Sequence, residues 1–453
     1  MNNVEGIFKA YDIRGKVGSE LSATVAEKIG FAFGNWLPEK NAVVVGRDMR
    51  PDSLELSQAI IKGLAEQGRE VWDIGEVTSD MIYFTVGKFG LAGGAMITAS
   101  HNPGEYNGIK LCREEAKPVG EESGLFEIRD VVIKNLTSDT VLTNIKGVIK
   151  ERDVTDDWIE HVLSFIDADE LKPLKVAVDA GNGMAGKIFP ELEPHVPFYI
   201  TEMFFELDGT FPNHIANPLD PNNLVDLQKM ISQEKCDVGV AFDGDGDRAV
   251  LVDEKGEALS GSVMTAILAK FILEKYPNST VLINAICGRI AEETITSNGG
   301  KCIRTRVGHS FIKADMRENN AVFAGEHSGH YYFKENYMAD SGLIAATIML
   351  YIMSLSNKPL SQIAAPFRQA YVQITETNFE IIDKDAVLKK IAEVFSGDKQ
   401  DNLDGLSVNF KDSWFNIRAS NTEPLLRLNA EAKTEDELDS LVKKVTAIIG
   451  EFS

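Results

Sequence analysis

Short apolar runs alternate with amphipathic stretches along most of the chain. The runs Val43–Val45, Val176–Val178 and Val281–Ile283 are each followed by a loop with glycine and polar residues. A helical pattern then begins, as over residues 54–67, where apolar residues recur three and four positions apart. Alternation of strands and helices predicts α/β layers with parallel or mixed sheets. The three starts lie at similar intervals, which indicates three related α/β domains.

Each of these three blocks has a later apolar run that ends in a loop with reactive side chains. The first run ends at Ser100, the second at the acidic loop 243–248, and the third at the loop 325–330. Ligands of α/β sheets bind beyond the carboxyl ends of the strands. We therefore expect the three loops to face one cleft.

The last block has a different pattern. It contains short apolar strands at 371–374, 406–410, 414–417 and 425–428, followed by a helix that opens with a capping box, Thr434 to Glu437. This pattern predicts a smaller α+β domain. The predicted domains are 1–150, 151–256, 257–367 and 368–453.

Composition limits the partners of the chain. Among 453 residues, 69 are Asp or Glu and 46 are Lys or Arg, a net charge of −23. Such a charge disfavours nucleic acid and anionic membrane surfaces as partners. A phosphate ligand would need a locally basic cleft, because charges are screened beyond about 8 Å. The four cysteines form no CxxC pair and the first residues form no signal peptide, so we expect a cytoplasmic protein. The oligomeric state, monomer or dimer, stays open.

Ser100 is a candidate phosphate carrier. It stands where an apolar run meets the turn residues His101, Asn102 and Pro103, and no acidic residue occurs from Met81 to Gly104. A phosphoserine carries a charge of about −1.5 to −2, which neighbouring carboxylates would repel. The alternative is an ordinary buried strand followed by a turn.

The segment 243–248 is a candidate metal loop. Asp243, Asp245 and Asp247 take alternate positions, which on an extended chain puts three carboxylates on one side. Hard oxygen ligands of this kind suit Mg²⁺. Arg248 stands at the sixth position, where a calcium-binding EF-hand needs glycine, and it is placed to meet a phosphate held by the metal. A solvated acidic turn is the other alternative.

Two further loops offer groups for a sugar phosphate. In the loop after the strand at 414–417, a guanidinium, two hydroxyls and an amide form a candidate phosphate site, Arg418, Ser420, Asn421 and Thr422, which could otherwise be a capped turn. Glu326 and Ser328 supply a carboxylate and a hydroxyl for vicinal sugar hydroxyls. His330 lies close by, but the spacing of a zinc motif is absent.

Other basic and aromatic residues are weaker candidates. Lys110 and His309 could carry a proton or contact phosphate, and either could be an ordinary surface residue. Tyr11 and Arg14 form a further pair before a glycine turn near the start of the chain.

These segments, taken in this order, resemble the α-D-phosphohexomutases over essentially the whole chain. The similar segments are Phe8–Gly15, an active-site turn; Thr98–Pro103, the phosphoserine loop; Asp243–Arg248, the metal loop; Gly325–His330, the sugar-recognition loop; and Arg418–Pro424, the phosphate-binding loop. The resemblance implies three α/β domains and a smaller fourth domain around a central cleft.

Two of the segments indicate the subfamily. The opening 9–15 and the loop 325–330 resemble phosphomannomutases and dual phosphomannomutase/phosphoglucomutases more than phosphoglucosamine mutases. Ile286 is a departure, since some dual-specificity members have a lysine there.

The resemblance implies reversible transfer of phosphate between the 1- and 6-positions of a hexose, by way of phosphorylated Ser100 and a hexose 1,6-bisphosphate that also activates the enzyme. It assigns catalytic roles to Ser100, Lys110, His309, Arg14 and Arg248. It assigns substrate binding to Tyr11, His101, Glu326, Ser328, His330, Arg418, Ser420, Asn421 and Thr422. One Mg²⁺ would be bound by Ser100, Asp243, Asp245 and Asp247. The alternatives are a phosphoglucosamine mutase, a metal-dependent sugar phosphatase and a non-catalytic calcium-binding protein.

Overall fold

The computed structural model describes residues 4–38, 40–136, 147–419 and 425–452. These residues form two compact units. The first consists of Met1–Leu259 and Ser328–Ser361, and the second of Ser260–His327 and Gln362–Ser453.

The first unit begins with a seven-stranded mixed sheet between helices. Its strands are β1 (Ile13–Lys16), β2 (Val43–Arg47), β3 (Val71–Glu76), β4 (Gly93–Ile97), β5 (Tyr106–Arg113), β6 (Lys117–Pro118) and β7 (Ile149–Glu151). Its helices are α1 (Ala23–Trp36), α2 (Ser53–Glu66), α3 (Ser79–Phe89), α4 (Leu125–Leu136) and α5 (Thr155–Leu163). The strand order is β1-β5-β4-β2-β3-β7, with β6 beside β5. The strands β4, β2, β3 and β7 run parallel, and β5 is antiparallel to both β4 and β1.

The same unit contains a four-stranded sheet. Its elements are β8 (Lys175–Asp179), α6 (Ala185–Leu192), β9 (Tyr199–Met203), α7 (Val225–Glu234), β10 (Val238–Phe242) and β11 (Ala249–Asp253). The order is β11-β10-β8-β9, in which only the β10–β11 pair is antiparallel. Because β10 is fully buried, the loop that follows it starts inside the protein.

The later segment of the first unit supplies β15 (Tyr331–Phe333) and β16 (Ala339–Asp340), which pair antiparallel, and α11 (Gly342–Ser356). Helix α12 (Leu360–Arg368) leads from the first unit into the second. Short 3-10 helices occur at Glu5–Ile7, Glu114–Ala116, Glu121–Ser123, Ala168–Glu170, Glu193–His195, Pro221–Leu224 and Lys334–Asn336.

The second unit has a parallel part and an antiparallel part. The parallel part consists of α8 (Gly261–Lys275), β12 (Thr280–Asn284), α9 (Arg289–Ser297), β13 (Lys301–Thr305), α10 (His309–Glu318) and β14 (Phe323–Gly325), with β12 between β13 and β14. The antiparallel part consists of β17 (Val372–Gln373), β18 (Thr377–Glu380), α13 (Lys384–Val394), β19 (Lys399–Asp401), β20 (Leu406–Asn409), β21 (Ser413–Ala419), β22 (Leu425–Ala432) and α14 (Glu435–Gly450).

The predicted fold class is confirmed, with three α/β regions, mixed sheets and a smaller C-terminal α+β region. The expected helix at 54–67 is observed at Ser53–Glu66, and the apolar run 238–242 is strand β10. Thr434 caps α14 as expected, because its side chain accepts a hydrogen bond from the Glu437 backbone N–H. The domain boundaries and the shared cleft stay predictions.

The described residues contain no single helix that is long and apolar enough to cross a membrane. Helices α11 and α12 satisfy the length and composition criteria only as a pair, and they are bent by 105° at the break between them.

Helices α1 and α2 approach so closely that each has a glycine at the contact. A Cβ added at Gly63 would lie 2.1 Å from the Glu27 carbonyl oxygen, and one at Gly30 would lie 2.3 Å from the Ile60 carbonyl oxygen. Backbone atoms cannot move aside as the end of a flexible side chain can. A larger residue at Gly30 or Gly63 must therefore push the two helices apart.

We therefore predict that Gly63→Ala lowers the free energy of unfolding by about 1–3 kcal/mol through overpacking. Urea denaturation measures this difference. The control is Gly450→Ala, since nothing lies within 4 Å of a Cβ at that position in the last turn of α14. Equal stability of the two variants would contradict the close packing of α1 on α2.

Candidate active site

Ser100 lies in a buried turn directly after β4. Its φ is 51°, a left-handed conformation that costs a residue with a side chain roughly 1–3 kcal/mol unless its surroundings impose it. The Ser100 hydroxyl donates a hydrogen bond to Asp243 Oδ2 (2.8 Å), and His101 Nδ1 lies 3.0 Å from Ser100 Oγ. Thr98 supports the turn, since its Oγ1 accepts from the Ser100 backbone N–H. The reactive oxygen is therefore held against a carboxylate.

The three aspartates after β10 form one buried cluster. One carboxylate oxygen from each of Asp243, Asp245 and Asp247 lies within 4.8 Å of the others. The expectation of an extended chain is wrong, because residues 244–247 form turns and bends and the Gly246 N–H donates to the Asp243 carbonyl (3.1 Å). Folding back of the chain, rather than alternation along a strand, brings the carboxylates together.

The loop carrying Ser100 and the aspartate loop touch through their backbones. A Cβ added at Gly244 would lie 2.5 Å from the Ser100 carbonyl oxygen. Only glycine permits this approach, and it brings Asp243 within hydrogen-bond distance of the serine. The requirement for glycine between the first two aspartates is thus steric.

Crowding of negative charge changes the acidity of the cluster. Burial, together with the charges of Asp247 and Asp245, raises the pKa of Asp243 well above its usual value. Burial opposes ionisation of Asp247 too, but the Lys110 ammonium and His330 outweigh it and lower the pKa of Asp247 well below its usual value. The cluster therefore requires neighbouring positive charge to stay ionised.

Lys110 supplies one such charge. It lies on β5 opposite Met96 of β4, and its Nζ lies 2.5 Å from Asp245 Oδ2 and 2.6 Å from Asp247 Oδ2. Burial alone would lower the pKa of Lys110, but these two carboxylates raise it well above its usual value. Lys110 is thus a buried ammonium and not a surface residue.

The cluster fits a divalent cation. Asp245 Oδ1 is buried and accepts no hydrogen bond within the part of the chain that the structure describes. Three convergent carboxylates are the hard oxygen donors that Mg²⁺ and Ca²⁺ prefer. Asp247 also forms a second close group with His330 and Asp340, so it is common to both sets of possible ligands.

Ser79, at the start of α3, orients Asp245 and was not identified from the sequence. Its hydroxyl donates to Asp245 Oδ2 (2.5 Å), and its backbone N–H donates to the Asp245 carbonyl. The adjacent Asp80 accepts hydrogen bonds from Ser341 and Thr78, and its pKa is raised to about 7 by burial. The contact joins residues 166 positions apart, and a serine before a helix carries no other sequence signal.

Arginine and histidine side chains surround the serine. Arg14 donates to Asn102 Oδ1 and pairs with Asp12, both at 2.6 Å. The Arg248 backbone N–H donates to Asp243 Oδ1 (3.1 Å), and its Nε lies 3.5 Å from Asp243 Oδ2. The structure thus brings Arg14 to Asn102, two residues after Ser100, and Arg248 to Asp243, and their catalytic roles stay predictions.

The histidines of the site differ in their surroundings. Burial, and then the charges of Arg248 and Arg14, lower the pKa of His101 well below its usual value, so its ring is neutral. His330 Nε2 lies 3.2 Å from Arg248 Nε, and Ser328 Oγ lies 3.2 Å from His330 Nδ1. Tyr11, the remaining candidate in this unit, is half-buried.

The second unit holds the other candidates. Glu326 is buried after β14, where Asn284 donates to its Oε2 (2.9 Å) and so orients it. Asn284 is a second residue that the sequence analysis missed, although it ends an identified strand. His309 is the first residue of α10.

Arg418 lies on β21, where it is 5 % exposed, and its Nη2 is 3.3 Å from Glu376 Oε2. The same carboxylate lies 3.2 Å from Arg427 through Oε1. This half of the candidate phosphate site therefore consists of two guanidinium groups around one carboxylate. The predicted partners of Arg418, namely Ser420, Asn421 and Thr422, lie outside the described residues.

Comparison with protein families matches four models in succession. Three are described as phosphoglucomutase/phosphomannomutase alpha/beta/alpha domains I, II and III, at residues 5–138, 156–256 and 260–371. The fourth is described as the C-terminal domain of the same family, at residues 376–448.

Curated relatives and solved structures agree with these matches. The chain is 41% identical over 436 residues to "Phosphohexose mutases" of Xanthomonas campestris pv. campestris, covering 95% of this chain and 96% of that protein. It is 36% identical over 458 residues to "Phosphomannomutase" of Vibrio cholerae, covering 97% and 98%. A crystal structure of a phosphoglucomutase/phosphomannomutase family protein from Burkholderia thailandensis superimposes with a TM-score of 0.90 at 31% identity, covering 99% and 98%. With all four domain models matched and identity above 30% along nearly its whole length, the chain belongs to the phosphoglucomutase/phosphomannomutase family.

Proposed function

We propose that this protein is an isomerase that moves phosphate between the 1- and 6-positions of a hexose, interconverting mannose 1-phosphate and mannose 6-phosphate and accepting glucose phosphates as well. Membership of the family supports hexose phosphate mutase activity. The observation that carries the proposal is the Ser100 hydroxyl, held 2.8 Å from a carboxylate of a buried cluster that could hold a metal ion.

In the proposed reaction Ser100 carries the phosphate. The hydroxyl oxygen of a bound hexose monophosphate forms a bond to phosphorus while the bond from phosphorus to Ser100 Oγ breaks. The attacking hydroxyl loses its proton and Ser100 Oγ gains one, with Lys110 or His309 as the carrier. Arg14, Arg248 and Lys110 would face the transferring phosphate, where positive charge stabilises the transition state.

Ser100, Asp243, Asp245 and Asp247 would hold one Mg²⁺. When bound, the ion would neutralise charge on the transferring phosphate and polarise its oxygens. Phosphorylation of Ser100 beside Asp243 adds about −1.5 to −2 charge to a site that is already acidic. The serine lacks acidic neighbours in the sequence but has one in space, so a cation at this place is a physical requirement of a phosphorylated state.

The product of the first transfer would be a hexose 1,6-bisphosphate. It turns over and returns its other phosphate to Ser100, so that the same serine serves both ends of the sugar. Glu326 and Ser328 would bind the O3 and O4 hydroxyls, which mannose and glucose share. The remaining substrate contacts are assigned to Tyr11, His101, His330, Arg418, Ser420, Asn421 and Thr422.

Each of the three alternative functions would give a different result in an assay. A phosphoglucosamine mutase would prefer glucosamine phosphates, a phosphatase would release inorganic phosphate, and a calcium-binding protein would bind Ca²⁺ over Mg²⁺ without turnover. A cytoplasmic location fits the proposal, because sugar phosphates occur there.

Ser100→Ala is predicted to lower mutase activity by at least about 10³-fold, since it removes the only oxygen proposed to carry the phosphate. A coupled assay with mannose 1-phosphate measures the loss, and phosphopeptide mass spectrometry locates the phosphate in the wild-type protein. Ser396→Ala, at an exposed serine in the second unit, is the control.

The same assay tests the intermediate. Dephosphorylated wild-type protein should be nearly inactive, and added hexose 1,6-bisphosphate should restore it to saturation. Full activity of Ser100→Ala, or of dephosphorylated protein without bisphosphate, would refute the phosphoserine mechanism.

Asp245→Asn is predicted to weaken Mg²⁺ binding by about 10–100-fold, because it removes one anionic oxygen from the cluster. Isothermal titration calorimetry with MgCl₂ on the wild-type protein and the variant gives the ratio of dissociation constants. Asp226→Asn is the control, since Asp226 is an exposed carboxylate on α7 that pairs with exposed Lys229. Unchanged Mg²⁺ affinity in Asp245→Asn would exclude this cluster as the metal site.

Mannose 1-phosphate and glucose 1-phosphate should give kcat/KM values within about tenfold of each other, because a difference at C2 alone leaves the proposed O3 and O4 contacts intact. Glucosamine 1-phosphate also differs only at C2, but its charged ammonium group costs more to desolvate than a hydroxyl, so it should react more slowly than either. Parallel isomerase assays on the three sugars measure this order. A preference for glucosamine 1-phosphate would instead identify a phosphoglucosamine mutase.

A further inference from the structure

The loop that carries Ser100 is contacted through its backbone by one buried side chain, Arg50, three residues after β2. Arg50 is 3 % exposed. Its Nη2 donates to the Ser100 carbonyl (2.8 Å) and the Asn102 carbonyl (2.6 Å). Its Nη1 donates to the Pro103 carbonyl (3.0 Å) and the Tyr106 carbonyl (2.9 Å). One guanidinium group thus binds four backbone carbonyls between Ser100 and the start of β5.

The guanidinium is itself fixed in place. Its Nε lies 3.3 Å from Asp48 Oδ2, and Asp48 Oδ1 accepts from the Arg50 backbone N–H (3.0 Å) and from the Ser53 hydroxyl (2.5 Å). On its other side the guanidinium stacks on the Phe211 ring, 5.2 Å from the ring centre. These contacts fix the orientation of Arg50, so it presents rigid donors to the loop.

Phe211 connects this arrangement to the aspartate loop. A Cβ built at Gly244 would lie closest to the Ser100 backbone, and the next group it would meet is the Phe211 ring, at 3.5 Å. The Ser100 turn therefore lies between Arg50 on one side and the aspartate loop on the other. Displacement of the Ser100 carbonyl by even about 1 Å would move the Oγ away from Asp243, and misplacement of that size can cost about 100-fold in rate.

Resting on the function proposed above, we infer that Arg50 is a positioning residue for phosphoryl transfer, which keeps Ser100 in its left-handed conformation with Oγ directed at the aspartate cluster. The chemistry requires arginine. Four carbonyls pointing to one place need a planar group with several fixed N–H donors, whereas the lysine ammonium has three donors on a flexible stem. Arg50 does not touch the transferring phosphate in this assignment, so it acts only through the geometry of the serine.

The experiment compares Arg50→Lys and Arg50→Ala with the wild-type full-length protein. Each protein is first charged with hexose 1,6-bisphosphate, and mass spectrometry measures the phosphate on Ser100. Rapid-quench single-turnover kinetics then measure transfer from phosphoserine to mannose 1-phosphate. We expect transfer to slow by about 100-fold in Arg50→Ala and by about tenfold in Arg50→Lys, with KM changed by less than about threefold, because the proposed sugar contacts lie elsewhere.

Arg69 supplies a matched control. It is also buried in the first unit (8 % exposed), and its guanidinium donates to the Gly34 and Leu37 carbonyls, away from Ser100. Arg69→Lys and Arg69→Ala should lower the thermal midpoint to an extent comparable with the Arg50 variants, yet leave the transfer rate of the folded protein unchanged. A role of Arg50 in stability alone would make the two pairs of variants behave alike.

Chemical rescue separates positioning from folding. Low millimolar guanidinium should bind the space left in Arg50→Ala and accelerate transfer at least about tenfold, while the same concentration of urea and the Arg69→Ala variant should show no acceleration. If Arg50→Ala does not fold, Arg50→Lys, which keeps the charge and most of the volume, decides the question. Wild-type transfer rates in Arg50→Lys, or Arg50 and Arg69 variants with equal rates, would overturn the inference alone. Absence of phosphate from Ser100 in charged wild-type protein would overturn the proposed function with it.

Discussion

The concentration of negative charge beside Ser100 is the constraint on which the rest of the site depends. Asp243, Asp245 and Asp247 are buried within 4.8 Å of one another, and Asp243 lies 2.8 Å from the serine hydroxyl. Isolated buried carboxylates would bind protons instead of staying charged. The raised pKa of Asp243 shows this tendency, and the lowered pKa of Asp247 shows how nearby cations reverse it. Every neighbouring element therefore has to supply positive charge or hydrogen-bond donors.

Sheet register determines where those charges lie. Strand β5 returns antiparallel to β4, which places Lys110 opposite Met96, four residues before Ser100. Strand β1 then pairs with β5 so that Arg14 lies opposite Gly108. A shift of one residue in either pairing would turn these side chains to the other face of the sheet. The antiparallel edge of the sheet thus places two cations near a serine that follows a parallel strand, β4.

Most of the fold, and the places of the candidate loops at the ends of strands, could be predicted from the sequence, because both depend on local pattern. Strand β10 and the aspartates after it form one continuous signal of apolar residues followed by carboxylates and glycines. The geometry of that loop could not be predicted, since it depends on the contact of Gly244 with the Ser100 backbone. Ser79 and Asn284 were missed for a similar reason, because their roles exist only through residues distant in sequence or buried beside them. For Arg50 the sequence offers only a weak indication, namely that three charged residues, Arg47, Asp48 and Arg50, occur at and just after the end of the buried strand β2.

The overall charge of −23 repels the proposed anionic substrate, so its binding has to depend on cations that are buried within the protein. At long range the acidic surface repels a sugar phosphate, and salt screens this repulsion beyond about 8 Å. At short range Arg418 is 5 % exposed and Lys110 is 7 % exposed, so solvent and salt weaken their interactions far less. Each of these cations is already paired with a carboxylate, Lys110 with Asp245 and Arg418 with Glu376, so a phosphate at either place would compete with that carboxylate for the cation. Because the acidic surface repels every anion at long range, attraction for the proposed phosphorylated ligand has to arise at short range, from buried cations such as these.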